Sequence, residues 1–196
     1  MCWIGSFLQS SFFAATIGGL ISGGLTYFGV QATIKHEQKK VADADAQTVR
    51  AFRKAILTEL QSILSHYLES VGDELGKHTK EQPLMAYYQA SEDYFTIYNS
   101  NAHLIGKIED DSLRSEIVRT YSRAKGLLDS LRLNNSFVSG YEEFHEKARN
   151  SRKPEDEQRR DRYLFQLKQY MPKLLTQHAE FVQHANALIH ILNQAK

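Results

Sequence analysis

At 196 residues the chain is long enough for one compact domain with an appendage, and its 24 lysines and arginines nearly balance 23 acidic residues. That balance gives no bulk attraction for nucleic acid, and a lone cysteine, Cys2, excludes an internal disulfide. Only three prolines, with glycine concentrated in the first 30 residues, predict long helices downstream.

The first element carries no Asp, Glu, Lys, Arg or His from Met1 to Ile34. Its most apolar part, Phe12 to Val30, has the length a helix needs to cross a bilayer core. Trp3 on one side and Tyr27 with Phe28 on the other suit the two interfaces. Lys35, Lys39, Lys40, Arg50, Arg53 and Lys54 follow at once, so the positive-inside rule predicts an outside N-terminus and a cytoplasmic remainder. A cleaved signal peptide would begin with a basic region, which is missing, although Val30-Gln31-Ala32 imitates a cleavage site. Two rows of small residues run along this helix: Ser11, Ala15, Gly19 and Gly23, and beside them Ala14, Gly18, Ser22 and Thr26. Such rows let a second helix approach closely, and Ser11, Ala15, Gly18, Gly19, Ser22 and Gly23 are the expected membrane-packing residues.

From Lys35 to about Gly76 the chain lacks proline, and Val49, Phe52, Ile56, Leu60, Ile63, Tyr67 and Val71 recur in steps of three and four. An amphipathic helix is expected, continuing straight from the membrane span, with a break at Gly76 to Pro83. The domain division expected is a span over 1–34 and a cytoplasmic helical bundle over 35–196.

A short helix with Phe95, Tyr98 and Leu104 is expected to close near Gly106. Asp110, Asp111 and Ser112 offer N-caps for the next, whose face is Leu113, Ile117, Tyr121, Ala124, Leu128 and Leu131, and Asn134 with Asn135 mark its expected end. This block, Tyr94 to Asn135, resembles a recurrent pattern in uncharacterised bacterial membrane-anchored helical proteins. The pattern is an aromatic-rich short helix (here with Tyr98), a Leu-x-Gly-x-hydrophobic turn (Leu104 to Ile108), then Ile-Val-x-x-Tyr (Ile117, Val118, Tyr121). The resemblance implies a membrane-tethered helical module and carries over no catalytic residue.

Phe137, Val138, Tyr141 and Phe144 predict a further short helix, and the mixed charges of Arg149 to Arg162 a solvated connection. Pro154 suits the first turn of the last helix. There Leu164, Leu167, Met171, Leu174, His178, Phe181, Ala185, Leu188 and Leu192 form an unbroken stripe, widened by Leu175, Val182 and Ile189. So broad a face suits a bundle core, with Pro172 expected to bend or divide the helix and His178 to find a hydrogen-bond partner.

No motif carries chemistry. His178, His184 and His190 are six residues apart, which turns them away from one another on a helix. Gly76-Lys77 lacks the remainder of a P-loop, Ser6 lacks a nucleophile elbow, and Glu142, Glu143 and Glu146 with His145 read as a solvated polar face. The expectation is therefore an all-α, single-pass protein of the bacterial inner membrane, whose cytoplasmic antiparallel bundle has long first and last helices. It is expected to be a non-enzymatic interaction or oligomerisation subunit of a membrane complex, such as a bacterial defence or stress system, with no catalytic, cofactor-binding or metal residues. Its expected partners are the lipid bilayer and a second copy or another protein, not nucleic acid or a small-molecule substrate. An oligomeric pore-forming or membrane-disrupting effector is the competing expectation.

Overall fold

The computed structural model describes residues 11–89, 92–151 and 153–194, with side chains from residue 30 onward except those of 32, 92 and 93. Every regular element among them is helical. Helix α1 spans Ser11–Tyr67, a π-helical turn Leu68–Gly72 follows, and the single turn α2 covers Asp73–Leu75. After an irregular and extended stretch come a 3₁₀ turn Glu92–Phe95 and the short helices α3, Thr96–Ser100, and α4, Ala102–Ile105. Two long helices, α5 (Asp111–Ser151) and α6 (Pro154–Gln194), complete the chain. Two compact units result, 1–48 and 49–196.

In the first unit the backbone is helical from Ser11, and from Val30 to Thr48 every residue with a described side chain is exposed. The expected span Phe12–Val30 and all six expected packing residues, Ser11, Ala15, Gly18, Gly19, Ser22 and Gly23, fall where side chains lie outside the described residues, Val30 apart. Among the described residues no helix is long and apolar enough to cross a membrane.

The second unit is a helical bundle, and its side-chain register shows how α5 and α6 meet. Phe144 stacks on Tyr163, Phe137 meets Tyr170 edge-on, Arg123 pairs with Glu180 at 2.8 Å, and Glu116 bonds His184 at 2.6 Å. Numbers fall along α5 as they rise along α6, so the pair is antiparallel. A short link makes this possible: α5 runs on to Ser151, and α6 opens on Pro154, whose missing N–H costs nothing in a first turn. Glu155, Asp156 and Glu157 then place negative charge at the positive end of the helix dipole. At Gly140 the Tyr163 ring packs directly on the backbone of α5, since a β-carbon there would lie 2.5 Å from it.

Most of the predicted stripe is buried, while Val49, Ile63, Leu164 and His178 are only half-buried, and Leu64, Leu75, Leu84 and Leu127 join the core unforeseen. Phe52, Ile56, Leu60, Tyr67 and Val71 are buried with Leu113, Ile117, Tyr121, Ala124, Leu128 and Leu131, and with Leu167, Met171, Leu174, Phe181, Ala185, Leu188 and Leu192. Asp110 is the N-cap chosen from the three candidates: its Oδ1 accepts the N–H groups of Ser112 (2.9 Å) and Leu113 (3.0 Å).

Three expectations change. α5 does not end at Asn134 and Asn135, and the short helix foreseen around Phe137 to Phe144 is its continuation. Asparagine is a poor helix former, but here both side chains bond another segment, and that tertiary gain outweighs propensity. Pro172 does not end α6, which runs through it to Gln194. The helix around Phe95, Tyr98 and Leu104 is not one element but a 3₁₀ turn and two short helices.

Candidate functional site

The side chains of the sequence-predicted packing residues lie outside the described residues, and polar groups gather inside the bundle of the second unit. Their centre is Glu59. On α1 it occupies the step between Ile56 and Ile63, on the face that enters the core, and it is 8% exposed. A carboxylate buried there needs partners, and three donors converge on it. Oε1 accepts the Ile97 N–H at 2.6 Å, while Oε2 accepts the Tyr98 N–H at 3.1 Å and the Tyr121 hydroxyl at 2.8 Å. The two N–H groups belong to the first turn of α3, which has no capping side chain of its own at Phe95. Glu59 thus caps a helix distant in sequence and ties it to α1 and α5.

Rings close over this centre. Tyr98 stacks on Tyr121 with centroids 4.0 Å apart, and Phe95 meets Tyr121 edge-on. Burial, and then the bond to Glu59, push the Tyr121 hydroxyl well above the usual phenol range, so it stays protonated and donates. Lys125 lies over the Phe95 and Tyr98 rings and donates to Asn99 Oδ1 at 3.0 Å.

A second polar contact joins α1 to α6. The Tyr67 hydroxyl lies 2.7 Å from His178 Nδ1, which supplies the partner expected for His178. Burial raises the Tyr67 phenol and lowers the His178 imidazole, so the bond joins two neutral groups. The Tyr67 ring packs edge-on against Phe181 and Tyr88 and presses on Gly72, where a β-carbon would come within 2.8 Å of it. Glycine at 72 is what lets the π-helical turn close beside that ring.

These contacts set a pH dependence. His178 binds its proton less readily folded than unfolded, so the unfolded chain holds more protons just below the ordinary imidazole value of 6.5. Stability should fall as pH drops through that range, with Asp73 opposing part of the loss. In urea melts at stepped pH, His178→Gln should flatten this part of the profile; an unchanged slope would place its origin elsewhere.

The third arrangement holds the extended stretch after Pro83. Asn135 Oδ1 accepts the Tyr88 N–H at 3.1 Å, its Nδ2 donates to the Tyr88 carbonyl at 2.7 Å, and Asn134 donates to the Leu84 carbonyl at 3.1 Å. Leu84 and Tyr88 face inward and Met85 and Tyr87 outward, the alternation of an extended strand, with amide side chains standing in for a neighbouring strand. An open cleft of about 980 Å³ lies along this stretch, lined by His66, Tyr88, Tyr94, Arg132 and Asn135 among others. Within it His66 Nε2 and the Tyr94 hydroxyl are 3.0 Å apart.

Each histidine of α6 has a partner. His178 engages Tyr67, His184 engages Glu116, and His190 engages Gln194 on its own helix. Among the described residues no group of three or more His, Cys, Asp or Glu side chains is placed to hold a metal ion. Glu142, Glu143, His145 and Glu146 are exposed on α5, with Glu142 accepting from Tyr87 at 2.7 Å. Sequence reasoning passed over Glu59, although a single acidic residue inside an otherwise apolar helical stripe was its signal. No protein-family model, curated protein or solved structure matches the chain.

Proposed function

We propose that the chain is a single-pass inner-membrane protein whose helical bundle is a non-enzymatic interaction or oligomerisation subunit, with the bundle on the cytoplasmic side. The observation that carries the reading is the charge-free stretch Met1 to Ile34, followed without a break in helix α1 by the basic flank from Lys35. The bundle's polar interior supports a scaffold role. Its buried hydrogen bonds join α1, α3, α5 and α6 to one another, the use of polar groups that makes a helical surface well defined.

The oligomer half of this proposal rests on the small-residue rows and is tested there. Gly19→Ile with Gly23→Ile puts two branched side chains where a partner backbone would approach. Association of the span in membranes should weaken by about 1–2 kcal/mol. Ile17→Val with Leu25→Val, off both rows, should leave it unchanged. Equal association of all three spans in a membrane two-hybrid assay would remove the glycines from the account.

A further inference from the structure

We infer that residues Val30 to Thr48 pair with the same segment of a second copy of this chain as a short parallel coiled coil; the inference deepens the oligomer reading above and rests on it. This part of α1 is helical, exposed, and free of Pro and Gly, yet it is not polar all round. Val30, Ile34 and Val41 are 51%, 45% and 61% exposed, and steps of four and seven put them within about 40° of one another on the helix. Ile34, Val41 and Thr48 are seven apart and β-branched, the side-chain shape that favours two strands at the first core position of a heptad. Val30, Glu37 and Ala44 then occupy the second core position.

Charge selects the partner and its direction. In that frame Lys40 flanks the core on one side and Asp45 on the other, five residues later. In a parallel pair these positions face each other across the interface, so Lys40 of each copy meets Asp45 of the other, twice by symmetry. The one charge inside the stripe, Glu37, has its carboxylate 3.8 Å from Lys40 of its own helix, which offsets like-charge repulsion between two copies. With alanine and glutamate at second core positions and fewer than three heptads, the pairing is too weak to hold free chains together. It suits chains already concentrated and aligned by a common membrane, where the second contact is effectively intramolecular.

The test is oxidative cross-linking of the full-length chain in its membranes, with Cys2→Ser as background and one new cysteine at a time. Val41→Cys and Ala44→Cys, on the core positions, should form disulfide dimers rapidly under copper–phenanthroline, and Ala42→Cys and Ala46→Cys, on the outer face, should not. Asp45→Lys should slow cross-linking through Val41→Cys, and adding Lys40→Asp should restore it. Equal cross-linking at all four positions, faster reaction at the outer positions, or none at any position overturns the pairing, as does a charge reversal that has no effect. Protection of Val41→Cys from a water-soluble maleimide without a dimer would assign the stripe to the lipid surface instead. Carbonate fractionation of the same samples keeps the two claims apart. Membrane-bound chain without dimers contradicts the pairing alone, whereas chain in the soluble fraction contradicts the membrane anchor.

Discussion

Replacing Glu59 by alanine should destabilise the helical bundle by about 3–4 kcal/mol, a large part of a domain's total stability. The effect is the loss of an acceptor rather than of packing. Two backbone N–H groups at the start of α3 and the Tyr121 hydroxyl would stay buried with nothing to receive them. Glu59→Gln keeps an acceptor oxygen but replaces the other with a donor that faces more donors, and should cost about 1–2 kcal/mol. Tyr121→Phe removes one donor and leaves the carboxylate both N–H groups, so about 1 kcal/mol is expected. Urea unfolding followed by circular dichroism orders the three variants. If Glu59→Ala proves no worse than Tyr121→Phe, the carboxylate does not hold α3 in place.

The second large effect is expected where local propensity and tertiary structure disagree. Asn134→Ala with Asn135→Ala improves the helix propensity of α5 by about 1 kcal/mol in total while removing three hydrogen bonds worth about 1 kcal/mol each. The net result should be a loss of about 2 kcal/mol, concentrated in the segment 83–89. Hydrogen exchange at the Tyr88 amide should speed up markedly, and proteases should cut near Tyr87 and Tyr88. Meanwhile an isolated α5 peptide should gain helix. A more stable protein would show that the asparagines serve the helix rather than the extended stretch.

That disagreement explains what could be read from residues alone. Apolar periodicity located α1, α5 and α6 because each buries one continuous stripe, so Ile56, Tyr121 and Phe181 were legible one by one. Helix ends were legible where a local signal decides them, as at Asp110 and Pro154. Asn134 and Asn135 misled because their partners, Leu84 and Tyr88, lie about 50 residues earlier, beyond the reach of any local rule. Glu59 stood out as the one acid inside an apolar stripe, but its role was not legible, because its three donors come from two segments that only the fold brings to it. Pro172 does not divide α6, since a helix held along its length by a packed partner tolerates one missing N–H.

Alkaline carbonate extraction tests whether the helical unit is carried on the membrane anchor proposed above. Full-length chain should stay with the washed membranes. A chain lacking residues 1–34 should appear in the soluble fraction with helical circular dichroism and the urea midpoint of the intact bundle. Release of the full-length chain by carbonate, or recovery of a mature chain beginning at Thr33, would contradict the account.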